Sequence, residues 1–167
     1  MAVEDTFVGA RTGLSLLFAY MGVVAQELGM EKAIAFDNRM CMAMGAAQGK
    51  MIKAQAGIET VDVQTAAKVL LGAIEQGFGI PSETIEESPD RVVLKIGKCA
   101  VCEAAAAVGM EPQTIEATCR AGAISFVNAM AKELNPDLKY ELREFRPSAD
   151  GCCEELIVSA LRIHSFS

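Results

Sequence analysis

The sequence predicts an α+β domain: helices packed against a four-stranded antiparallel sheet made of two hairpins. Three observations carry this. The first 80 residues are apolar at helical spacing and punctuated by Gly29, Gly57 and Gly79. After Pro81 the period shortens to two, with Val92, Leu94 and Ile96 alternating with Arg91, Val93 and Lys95. It shortens again after Pro136, where Leu138, Tyr140 and Leu142 alternate with Lys139, Glu141 and Arg143. Strands grouped as hairpins pair antiparallel, and helices lie between the two hairpins.

Taken in order, a helix is expected from about Phe7 to Leu28, a second from Glu31 to Ala56, and a third from about Asp62 to Gln76, with Thr60 or Asp62 as its cap. Gly45 and Gly49 form a four-residue pair on the second helix, a spacing that lets another helix approach closely. The first hairpin covers Glu83 to Ile96 around Ser88-Pro89-Asp90, with one face of its second strand wet. A small-residue helix follows from Cys99 to Val108. Pro112 opens a long helix that Asn135-Pro136 ends. The second hairpin turns at Pro147 to Gly151 and returns from Cys153 to Ile163. A chain of 167 residues is expected to be one domain, with a helical half of about 1–80 and a hairpin–helices–hairpin half of about 81–167.

Composition narrows the function. With 51% hydrophobic residues the chain can build a core, and a formal charge of −7 disfavours nucleic acid and anionic membranes as partners. His164 is the single histidine, so multi-histidine metal sites and most histidine catalysis are excluded. The first residues carry Glu4 and Asp5 in place of the basic start of a secretory signal. The uncharged stretch from Arg11 to Glu27 is shorter than a membrane span and reads as a buried helix. The expected compartment is the cytoplasm, where six cysteines point to metal or thiol chemistry before disulfides.

The cysteines are the main chemical signal. Cys99 and Cys102 form C-x-x-C at a strand-to-helix junction, and Glu116 and Cys119 share a helix face at i,i+3. Cys152 and Cys153 are adjacent at the start of the last strand, so at most one faces a common site. Thiolates from three stretches plus a carboxylate would suit four-coordinate zinc. Packing competes with this reading, since Cys119 lies on the apolar stripe of Ile115, Gly122, Phe126 and Met130, and Cys102 and Cys41 read as small buried hydrophobes. Met40, Met42, Met44 and Met51 could line a pliable pocket, although core packing is their expected role. Arg143, Glu144 and Arg146 read as a solvated strand face, and His164 as a surface residue.

The stretches KCAVCEAAAAVGM, IEATC, ELNPDLKYELREF and ADGCCEEL, spanning Cys99 to Val158, resemble the L-2-amino-thiazoline-4-carboxylic acid hydrolase-like family and the related 4-vinyl reductase domain. Ala100 stands where the hydrolase-like family has Pro, and Ala149 where it has Gly. The resemblance implies the ligand-binding fold of nitric-oxide-signalling and Golgi-transport domains, often homodimeric. It also implies a zinc ion held by Cys99, Glu116, Cys119 and Cys153, beside a pocket for a small hydrophobic or cyclic ligand. With four protein ligands the ion would be structural. A rival reading is a hydrolase that opens a cyclic amidine or thiazoline ring, with Cys99 as nucleophile and Glu116 as acid–base, or with a metal-activated water. A third is a structural homodimer joined through the methionine- and glycine-bearing helix face.

Overall fold

A computed structural model describes residues 3–57, 59–148 and 150–159. Its elements run α1 (Val3–Leu28), α2 (Met30–Ala56), α3 (Val63–Phe78), β1 (Glu83–Ser88), β2 (Arg91–Ile96), α4 (Ala100–Ala107), α5 (Pro112–Cys119), α6 (Ser125–Leu134), β3 (Leu138–Glu144) and β4 (Cys153–Ser159). The expected long helix from Pro112 to Leu134 is one continuous rod interrupted by a π-helical turn at Arg120–Ile124, which separates α5 from α6. Asp62 is the cap of α3, accepting from the Thr65 N–H at 2.7 Å. Strand residues expected up to Ile163, together with His164, lie outside the described residues.

The four strands form one antiparallel sheet in the order β1-β2-β4-β3, so the two hairpins meet through their inner strands. Val92, Leu94, Ile96, Leu138, Tyr140, Leu142, Cys153 and Ile157 are buried on the helix-covered face. The wet face expected of β2 is corrected at Val93. This residue is fully buried because its strand is central, flanked by Glu86 on β1 and Leu156 on β4.

The glycine pair behaves as its spacing predicts. A Cβ on Gly45 would lie 2.1 Å from the Phe126 carbonyl oxygen, and one on Gly49 would lie 2.7 Å from that of Met130. Only glycine lets α2 run this close to α6, and Lys53 then reaches the Glu133 carbonyl at 3.0 Å. Phe7, Phe18 and Met21 anchor α1 in the core.

The rest of α1 departs from the buried helix expected. Leu16 is 71% exposed and Tyr20 68%, with Val23 on the same face. By length and composition α1 is apolar enough to cross a membrane, and only 17% of its most apolar window is buried.

Candidate functional site

The site grows out of the β2–β4 register. Ile96 pairs with Cys153 and Leu94 with Glu155, so Cys153 and Glu155 share the helix-facing side of β4. The chain leaves β2 through Gly97 and Lys98 and reaches Cys99, the extended N-cap of α4, which therefore starts beside Cys153. Cys102 sits one turn into α4, and its thiol is hydrogen-bonded to the sulfurs of both Cys99 and Cys153. All six cysteines are free thiols.

Electrostatics separate these thiols. Cys153 is lowered to about 6, first by the hydrogen bond from Cys102, against the opposing effect of burial, and then by the backbone N–H and guanidinium of Arg146. Cys99 is lowered for the same leading reason, the Cys102 hydrogen bond. Cys102, as the donor, is pushed up by its bonds to Cys153 and Cys99, and burial pushes Cys119 well up. Arg146 is held in place by donating to the Gly97 carbonyl at 2.7 Å.

Glu155 completes the cluster. Burial raises its carboxyl to about 7, against a hydrogen bond donated by the Tyr140 hydroxyl. Tyr140 pairs with Ile157, so Glu155 is its diagonal neighbour across the β3–β4 ladder.

Beside the cluster lies a cavity of about 360 Å³. Its walls are apolar: Leu14 and Phe18 from α1, Ile74 and Phe78 from α3, and Phe126 and Val127 from α6. Met40 and Met44 of α2 line it as well, and their partial exposure places them where it meets solvent. Six residues bring polar or thiol groups to its lining: Asp37, Cys41, Cys99, Thr118, Cys119 and Glu155. The π-helical turn supplies Gly122, Ala123 and Ile124 to the same wall, an irregularity of a kind frequent at functional sites.

The expected residues divide. Cys99 and Cys153 come together through Cys102, which is buried in the core as expected and also bonds both sulfurs, and Cys119 is buried close enough to feel their charge. Of the C-terminal pair only Cys153 faces it; Cys152 turns toward Gly97. Glu116 is elsewhere: its carboxylate is 40% exposed and pairs with Arg120 at 2.8 Å, an i,i+4 bridge on the outer helix face. The catalytic and metal-binding roles expected of Glu116 therefore do not fit its position, and Glu155 is the carboxylate beside the thiols. Among the described residues no group of three or more His, Cys, Asp and Glu side chains is arranged to hold a metal ion. The four-ligand zinc site does not fit this arrangement.

Arg146 is corrected too, being buried where a solvated face was expected, and so are Met40, Met42, Met44 and Met51, which are exposed and not core. Glu155 could have been found from strand period, lying two residues from Cys153. Asp37 and Thr118 carry no such signal in the sequence.

A family model described as L-2-amino-thiazoline-4-carboxylic acid hydrolase matches residues 10–154. The chain belongs to this hydrolase family. Among solved structures, the chain is similar to the trafficking protein particle complex subunit 3 from Naegleria fowleri, covalently bound to palmitic acid in that crystal structure. The TM-score is 0.53 at 14% identity, covering 89% of this chain and 95% of that one. This likeness shows that the hydrolase-family chain shares the fold of that trafficking-complex subunit. No curated protein matches it significantly in sequence.

Proposed function

We propose that this hydrolase-family chain binds a small, largely apolar molecule in the cavity, with Cys99 and Glu155 on the wall that meets it. The observation that carries this is the lining itself: an apolar chamber of about 360 Å³ bordered by a lowered thiol and a half-buried acid. The palmitic acid bound by the trafficking subunit supports an apolar occupant for a chamber in this fold. Titrating the protein with the neutral dye Nile red tests the reading. Saturable one-to-one binding, lost when Ala123→Phe fills the chamber, is expected; equal binding by that variant would remove the proposal.

A second reading, ring-opening hydrolysis, is favoured by one pairing. Cys99 caps a helix N-terminus with a lowered pKa, and Glu155 near 7 could hold a proton for a departing nitrogen. It predicts turnover of a thiazoline carboxylate that Cys99→Ser abolishes. The family's activity could thus reside on Cys99 and Glu155, without Glu116. The exposed stripe of Leu16, Tyr20 and Val23 on α1 supports a homodimer.

A further inference from the structure

Among the described residues, the cavity lining carries acids and no base. Asp37 of α2 is buried at 7% exposure, and its carboxylate accepts a hydrogen bond from the Cys41 thiol, 3.7 Å from Oδ1. Its Oδ2 lies only 2.5 Å from where a Cβ on Gly122 would stand, so the absence of a side chain there is what admits the carboxyl to this wall. Thr118, four residues before Gly122 on the same rod, is 2% exposed and also lines the chamber. Its hydroxyl has no hydrogen-bond partner among the described residues. A buried hydroxyl left unpaired is costly, as is a buried carboxyl with no neighbouring cation, and both point into space a ligand can fill. Among the described residues lining the chamber there is no lysine, arginine or histidine, while Glu155 adds a second acid.

We propose that Asp37 and Thr118 form a head-group subsite for a protonated amidine or amine on an otherwise apolar ligand, and that the chamber prefers such a head to a lone carboxylate on the same frame. This rests on the ligand-binding reading above. A bound amidinium would give Asp37 its missing countercharge, and Thr118 could accept from or donate to the same head. A free carboxylate would enter with two acids facing it and no cation to receive it, and like charges in a desolvated space repel. The amino-thiazoline carboxylic acid of the family's description combines both heads. On this lining its amidine-like end is the one recognised.

The test uses the full chain and three probes of one shape: naphthalene-2-carboxamidine, the neutral 2-naphthamide and 2-naphthoate, each competing with Nile red. The amidine is expected to bind at least tenfold more tightly than the naphthoate, with the amide between them. In Asp37→Asn that preference collapses while amide binding persists, and in Thr118→Val it weakens. Naphthoate binding as well as the amidine, or an unchanged preference in a folded Asp37→Asn, would overturn the subsite while leaving the cavity reading intact. If Asp37→Asn does not fold, the naphthoate comparison in the unaltered chain decides. Failure of all three probes and the dye to bind would remove both proposals.

Discussion

The Tyr140 hydroxyl donates its hydrogen bond to Glu155 Oε2 across the β3–β4 ladder, joining a buried phenol to a half-buried carboxylate at the floor of the site. That bond favours the anion, but burial outweighs it and lifts the acid from 4.5 to about 7. A carboxyl with a raised folded pKa binds its proton more tightly when folded. Its contribution to stability is complete below the unfolded value and is lost as pH rises through about 7. The size is roughly 3 kcal/mol. Unfolding in denaturant at a series of pH values should show this loss, and Glu155→Gln should remove it. Tyr140→Phe, lacking the donor, should carry the loss to higher pH.

The thiol order depends on Cys102. In Cys102→Ala the donor to both neighbours is gone, so Cys153 should rise from about 6 toward its ordinary 9. Thiolate absorbance followed against pH reads this directly. A Cys153 titration that stays in place would mean that Arg146 alone sets it.

Gly45 and Gly13 should respond to alanine in opposite directions. At Gly45 the new methyl meets the Phe126 backbone, and the loss should be about 3 kcal/mol or more. Gly13 sits mid-helix with nothing within 4 Å, so alanine should stabilise by about 0.5–1 kcal/mol. Equilibrium denaturation of the two variants compares them.

Elemental analysis of untagged, anaerobically purified protein should give well under one zinc per chain, because Glu116 is engaged with Arg120 away from the thiols. One equivalent of zinc, lost together with stability in Cys119→Ser, would restore the metal reading.

The apolar stripe of α1 predicts self-association. Sedimentation should give a dimer that Leu16→Glu and Tyr20→Glu convert to monomer with helix content unchanged. A monomer at micromolar concentration in the unaltered chain would end this expectation.

Much was legible in the chain itself. Eight of the ten described helices and strands follow one by one from period and punctuation, because Pro, Gly and alternating residues act locally on φ, ψ and hydrogen bonding. The Gly45–Gly49 approach follows from helix spacing, and strand alternation requires that at most one of Cys152 and Cys153 turn inward, without saying which. The exception is the rod from Pro112 to Leu134, whose π-helical turn at Arg120–Ile124 has no spacing signature.

Strand period offered Glu155 as a neighbour of Cys153, but nothing along the chain ranked it above Glu116. Glu116 and Cys119 are i,i+3 neighbours, yet a helix face is wide enough for Cys119 to turn inward while Glu116 swings out to Arg120. Glu155 won that place through the Leu94–Glu155 register, a pairing between strands about 60 residues apart. Composition and local pattern determined an acidic α+β chain with six cysteines and a single histidine. Only tertiary packing decided that Asp37, Thr118 and Glu155 face one apolar chamber, because burial and partner are properties of distant segments meeting and not of spacing along the chain.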